Sequence, residues 1–184
     1  MFKNIVDNNI ELRLVDIHHA EEMFKSIDSN REHLGKYLPW VYSTKTVDDT
    51  ISFIRDSKKR YAANNGFDAS IWYKGKFAGV IGFHGINPSI KEISIGYWLD
   101  ERYVGKGIMT KACIEFINYA FNIYNLNRVE IRCAEDNYKS RAIPERLGFT
   151  KEGIIRDGEL LKAGYTNCVI YGLLRKEWNG KFNG

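Results

Sequence analysis

Tyr97-Trp98-Leu99-Asp100-Glu101-Arg102-Tyr103-Val104-Gly105-Lys106-Gly107-Ile108-Met109-Thr110 runs from the end of a strand-like segment into the start of an amphipathic helix. Two glycines, one residue apart, stand at the junction. A helix N-terminus leaves about four backbone N–H groups unpaired and carries partial positive charge, so it suits a phosphate. Glycine lets that backbone approach a ligand with no Cβ in the way. Two familiar phosphate loops do not fit. A Walker loop needs G-x-x-x-x-G-K-[ST], but Gly107 follows Lys106; a dinucleotide fingerprint needs a third glycine where Thr110 stands.

Outward from this turn the elements follow from periodicity. Met109, Ala112, Phe116 and Ala120 recur at helical spacing, with Lys111, Glu115, Asn118 and Asn122 opposite, and predict a helix from Ile108 to Tyr124. Strands are predicted on either side of it, Glu92 to Leu99 and Arg128 to Ala134; a long helical crossover makes that pair parallel. Upstream, Ala69 to Tyr73 and Phe77 to Phe83 flank Lys74-Gly75-Lys76, a hairpin signal. Glu11 to Val15 reads as a first strand, and Asp16 caps a helix carrying Ala20, Met23, Phe24 and Ile27. Thr46 and Asp49 form a capping-box-like pair ahead of Ile51 and Ile54, and Asn64-Asn65-Gly66 stops that helix. Ser140 to Leu147 is a short helix and Cys168 to Leu174 a closing strand. The class is α/β: a mixed sheet with helices on its faces.

Composition bounds the rest. At 184 residues, 44% apolar and 27% charged, without repeats or a Pro/Gly-rich linker, residues 1–184 are expected to form one domain. No apolar run approaches the roughly 20 residues of a membrane span, and Met1-Phe2-Lys3-Asn4 begins no secretory signal, so the expected compartment is the cytoplasm. A net charge of +4 without a basic cluster gives no nucleic-acid footprint. Cys113, Cys133 and Cys168 have neither disulfide nor metal spacing, and at least two of them read as buried thiols; no metal is expected. Tyr37, Trp40 and Tyr42 are candidates for a homo-oligomer contact or a cover over a ligand, with Trp40 expected in the core.

Arg102-x-x-Gly105-x-Gly107 matches the R/Q-x-x-G-x-G/A signature of the GCN5-related N-acetyltransferases. Asn30-Arg31-Glu32-His33-Leu34, Pro39-Trp40, Ile95-Gly96-Tyr97-Trp98-Leu99 and Arg146-Leu147-Gly148-Phe149 resemble the branch that acetylates N-termini of ribosomal proteins. The resemblance implies a sheet of about seven strands with a splayed parallel pair, Glu92–Leu99 and Arg128–Ala134, between which acetyl-CoA lies. Backbone at Tyr97, Trp98 and Leu99 would pair with the pantetheine amides. The amides of Arg102, Val104, Gly105, Lys106, Gly107, Ile108, Met109 and Thr110 would hold the pyrophosphate.

The implied reaction is direct attack of a primary amine on the thioester, with a protein N-terminus as acceptor; a small-molecule amine and a non-catalytic acyl-CoA-binding module are the alternatives. The departing thiolate needs a proton. Many family members use a tyrosine after Asn-x-x-[AS]; here the motif is Asn137-Tyr138-Lys139-Ser140, and Pro144 takes the tyrosine's place. The branch resemblance makes Ser140 the donor, with Asn137 on the pantetheine arm. It makes Glu159, in the loop before the last strand, the base that keeps the amine neutral. His84 is the rival base, because imidazole titrates near working pH. Gly164-Tyr165-Thr166-Asn167 departs from the usual G-x-Y-x-D of the family, having lost a residue and the aspartate.

Overall fold

The computed structural model describes residues 3–178; Met1, Phe2 and residues 179–184 lie outside them. In chain order the elements are β1 (Lys3–Ile5), β2 (Ile10–Leu14), α1 (Ala20–Ser29), α2 (Arg31–Gly35), α3 (Val47–Ala62), β3 (Asp68–Tyr73), β4 (Lys76–Asn87), β5 (Glu92–Leu99), α4 (Ile108–Asn122), β6 (Arg128–Ala134), α5 (Tyr138–Arg146), β7 (Thr150–Leu161) and β8 (Gly164–Leu174). The eight described strands form one sheet in the order β1-β2-β3-β4-β5-β6-β8-β7. β5 and β6 are parallel, and every other neighbouring pair is antiparallel.

The local signals act as their chemistry dictates. Asp16 accepts from the His18 amide and opens a single 3-10 turn, Ile17–His19, from which α1 continues. Thr46 and Asp49 form a reciprocal capping box at α3. Lys74 and Gly75 both adopt positive φ, the two-residue turn that matches the twist of a hairpin. The predicted helix from Ile108 stops at Asn122 rather than Tyr124, and the one predicted from Ser140 begins at Tyr138.

Two strands are absent from the sequence reading. β1 is a three-residue edge strand, too short to show alternation. β7 is exposed at nearly every position, so its sequence carries no hydrophobic period. It also corrects the position of Glu159, which lies in β7 paired with Thr166, not in a loop.

Side chains alternate across the sheet. On one face Phe83, Ile93, Ile95, Val129, Ile131, Val169 and Tyr171 pack with α4 residues such as Cys113 and Phe116. On the other, Val80, Trp72 and Phe77 pack with Met23 and Ile27 of α1 and Ile54 of α3, with Trp98 against them. Burial of these two layers is the main stabilising term. The three described cysteines are all free and buried. Trp40 departs from expectation: it stays 37% exposed and rests against Trp98, with ring centroids 6.1 Å apart.

Gly79 pairs with Leu99, and a Cβ there would overlap the Trp98 carbonyl oxygen, a backbone atom that cannot swing away. Gly79→Ala is expected to cost about 1–3 kcal/mol of stability. The check is a lower urea midpoint at unchanged slope.

Candidate active site

The parallel pair is joined for only three residues: Glu92, Ile93 and Ser94 pair with Arg128, Val129 and Glu130. Beyond Ser94, β5 continues to Leu99 without a strand partner on that side among the described residues, while β6 turns its other edge to β8 as far as Ala134. The result is a wedge-shaped gap flanked by the strand edge of Gly96–Leu99. Unpaired backbone donors and acceptors must find partners, so such an edge suits an amide-bearing ligand laid along it as an added strand.

At the wide end of the gap stands the glycine-rich turn. Asp100 caps a 3-10 turn, Glu101–Tyr103, and the chain enters α4 through Gly105 (φ 81°) and Gly107 (φ 73°). That left-handed geometry favours glycine at both positions. No atom lies within 4 Å of where a Cβ of either residue would be, and no side chain caps α4. The first-turn amides of Ile108, Met109 and Thr110 thus lie beside two uncluttered glycines at a helix N-terminus, a place suited to an anion. Arg146 reaches the same place, its Nη1 donating to Thr110 Oγ1 at 2.8 Å. The Arg102 guanidinium is folded back onto Asp100, Nε to Oδ1 at 2.9 Å, and Val104 follows it in extended conformation. Lys106 stacks its ammonium over Tyr103.

On the α4 face of the gap three elements meet. Tyr97 Oη (β5) donates to the Ser140 carbonyl oxygen at 3.0 Å, and Ser140 Oγ (α5) lies 3.3 Å from both Tyr97 Oη and Cys133 Sγ (β6). Asn137 holds Ser140 in place, its Oδ1 accepting from the Ser140 amide at 3.2 Å. Burial, aided by Cys133 and Cys113, pushes the Tyr97 phenol well above its ordinary range. Burial also pushes the Cys133 thiol up to about 11. Tyr97 and Cys133 therefore carry their protons at neutral pH. The Tyr97 hydroxyl was not foreseen, because Ile95-Gly96-Tyr97-Trp98 reads equally well as core.

Glu159 and His84 lie on the opposite face. Glu159 Oε1 is 3.7 Å from the Cys168 thiol, which donates to it and projects away from the α4 face occupied by its neighbour Val169. Burial, followed by Glu159, pushes Cys168 up to about 11. His84 projects away from that face too, opposite its neighbour Phe83. Its ring lies over Gly96, where a Cβ would come 2.8 Å from Nε2. The glycine makes that placement sterically available. Desolvation lowers the His84 pKa below its ordinary 6.5, against Asp68, which raises it, although the residue as a whole is exposed. Between His84 and Glu159 on this face, Glu130 is buried. Its burial favours the neutral acid, but bonds from Arg132 and Arg128 hold its pKa below the usual value. Ser140 and Tyr97 thus meet on one side of the sheet, whereas Glu159 and His84 share the other side without meeting, on β7 and β4 with β5, β6 and β8 between them.

The protein-family model described as an acetyltransferase (GNAT) domain matches residues 9–150. The protein YdaF of Bacillus subtilis (strain 168) is 39% identical over 184 residues, covering 98% of this chain and all of YdaF. Among solved structures, a ribosomal L7/L12 α-N-protein acetyltransferase in complex with coenzyme A is 26% identical, with a TM-score of 0.91 over 96% of this chain and 99% of that one. The microcin C7 self-immunity acetyltransferase MccE, in complex with acetyl-CoA and AMP, is 32% identical, with a TM-score of 0.86 over 92% of this chain and 94% of that one.

The depressed His84 pKa has a direct readout. Its NMR titration midpoint is expected below 6.5, moving up to the ordinary imidazole value on denaturation. An unfolded chain then takes up the proton first, so this histidine contributes stability above the unfolded value that is lost as pH falls through the folded one.

Proposed function

This chain belongs to the acetyltransferase (GNAT) family, and on that premise we propose that it acetylates the N-terminal amine of a protein, a ribosomal protein first among candidates. It is an acetyl-CoA-dependent N-acetyltransferase. The observation that carries the finer reading is the gap between β5 and β6, with one set of proton carriers on each face. The coenzyme-bound L7/L12 acetyltransferase supports a protein N-terminus as acceptor. An α-amine, titrating near about 8, is also easier to deprotonate than a lysine at about 10.4.

In this reading acetyl-CoA lies in the gap, its pyrophosphate on the amides of Arg102 and of Val104 through Thr110 and its pantetheine along Tyr97, Trp98 and Leu99. Asn137 adds a contact to the pantetheine arm. The fit rests on the open cradle at Gly105 and Gly107 and on the unpartnered edge of β5. The amine enters from the α1 face, and Glu159 takes its proton directly or through water. The neutral nitrogen adds to the thioester carbonyl, the developing oxyanion being stabilised by free β5 amides. The C–S bond then breaks, and Ser140 Oγ protonates the thiolate on the α4 face, with Tyr97 Oη as its neighbour in the hydrogen-bond chain. The surplus proton on the product nitrogen is released through water, which restores the Ser140 hydroxyl. No acyl-enzyme is required, and thiols pushed up to about 11 by burial are poor nucleophiles at neutral pH. With a ribosomal protein as acceptor, the proposed reaction takes place in the cytoplasm.

A second base deserves its own test because of where it stands: His84 lies over Gly96 beside the narrow end of the gap. The small-amine alternative draws on MccE, crystallised with AMP.

Ser140→Ala is expected to lower kcat roughly 10²-fold with the KM for acetyl-CoA unchanged; full turnover would remove Ser140 from the mechanism. If Glu159 is the base, Glu159→Gln abolishes the acid limb of the pH–rate profile and His84→Ala keeps it. The opposite outcome, with the limb below 6.5, assigns His84. The acceptor is read by incubating the enzyme and labelled acetyl-CoA with whole ribosomes beside a panel of polyamines, amino acids and aminoacyl nucleotides. Label on a ribosomal-protein N-terminus supports the proposal, and label only on a small amine overturns it.

A further inference from the structure

Asn30 and Arg31 open the segment 30–44, whose sequence words the reaction above leaves unused. Asn30 precedes α2 but makes no side-chain cap there. Its amide group is buried, 8% exposed, and bonds elsewhere: Nδ2 donates to Asp100 Oδ2 at 2.9 Å, and Oδ1 accepts from the Glu101 amide at 3.1 Å. Asp100 is fully buried and also accepts from Ser26 Oγ at 2.9 Å and from the amide and guanidinium of Arg102. Burial opposes ionisation of this carboxylate, yet its donors, led by Arg102, hold the pKa below the usual value. The first residues of the glycine-rich turn are thus fastened to the end of α1 by one charged acceptor.

Arg31 faces the other way. Its Nη1 donates to the Val41 carbonyl at 2.7 Å and its Nη2 to the Thr44 carbonyl at 2.8 Å, while Nε is held by Asp28. One planar fork therefore fixes the loop that carries Trp40 and Tyr42. That loop, with Tyr37 just before it, reaches three elements around the gap. Trp40 meets Trp98 of β5, Lys162 in the β7–β8 turn lies 4.9 Å over the Tyr42 ring, and Tyr37 Oη donates to the Asp136 carbonyl just ahead of α5. A side chain at Gly35 would collide with Tyr42, so the wall is backed by α2 itself.

We propose that Asn30 and Arg31 are positioning residues of opposite reach: Asn30 sets the acetyl-CoA cradle through Asp100, and Arg31 sets the aromatic wall over the acceptor amine. The assignment rests on the acetyltransferase reading above. Lysine at position 31 keeps the charge but cannot bond two carbonyls in a fixed fork.

The test compares wild type, Asn30→Ala, Ser26→Ala and Arg31→Lys. It measures acetyl-CoA Kd by calorimetry, KM for whichever amine the wild type acetylates best, and hydrogen exchange of segments 41–44 and 101–110. Asn30→Ala is expected to weaken acetyl-CoA about tenfold and leave acceptor KM within about twofold. Arg31→Lys is expected to do the reverse. Exchange should rise in 101–110 for the first variant and in 41–44 for the second. Ser26→Ala removes another donor to Asp100 and repeats the cofactor effect should Asn30→Ala not fold. Equal loss in both affinities for both variants, or no loss in either, overturns the proposal. A wild type that binds no acetyl-CoA refutes the acetyltransferase reading instead. If no amine is acetylated, the calorimetric and exchange arms still decide between the two reaches.

Discussion

Strands β5 and β6 part after three paired residues, and the consequences organise the molecule. A sheet that opens in its middle exposes backbone donors and acceptors that would otherwise satisfy each other. Here the opening is held by packing rather than by hydrogen bonds across it. α4 lies against β5 and β6 on one face, and β6 is secured along its other edge by β8 over seven residues. The glycine-rich turn sits at the wide end because β5 leads into it directly. One irregularity in the ladder thus supplies both a polar edge and, at its mouth, a helix N-terminus.

The two faces of the sheet have different chemistry because they have different cover. The α4 face is sealed by aromatic and aliphatic side chains, and the hydroxyls and thiol of Tyr97, Ser140 and Cys133 are embedded at its border, where burial keeps Tyr97 and Cys133 protonated. The α1 face is apolar only under α1 and α3. Towards β6 it becomes a row of ionised groups: Glu92, Glu130 and Glu152 around Arg128, with Arg132 beyond. The bond to Glu152, with those to Glu130 and Glu92, raises the Arg128 pKa against the opposing effect of burial and holds the guanidinium protonated. In the proposed reaction an incoming cationic amine would meet polar ground on one side, and a leaving thiolate protonated groups on the other.

Much of this was legible in the sequence. The turn at Gly105 and Gly107, the long helix after it, the parallel crossover, and the caps at Asp16 and Thr46 are all local signals, each confined to a few residues. Other features depend on contacts that periodicity does not encode. Tyr97, Cys133 and Ser140 converge from three elements. Glu159 sits in a strand that hydrophobic alternation cannot reveal, since both sides of β7 face water over most of its length. Trp40 reads as core by composition, yet its place is set by Arg31, whose bonds go to main-chain carbonyls rather than to any side chain a motif would contain.

β7 also ends the sheet, and a twelve-residue outer strand with Ile154, Ile155 and Leu160 exposed would ordinarily recruit a foreign chain. Two register breaks, between Lys151 and Gly153 and between Ile155 and Glu159, cut the ladder into runs of two, three and three residues and leave Gly153–Ile155 as the central remnant, against the roughly five to six residues of an ordinary strand. Lys151, Glu152, Arg156 and Asp157 bracket that remnant with charge. Growth of the sheet by cross-chain templating is therefore blunted at its vulnerable margin, which guards the polypeptide against fibrillar self-assembly when crowded.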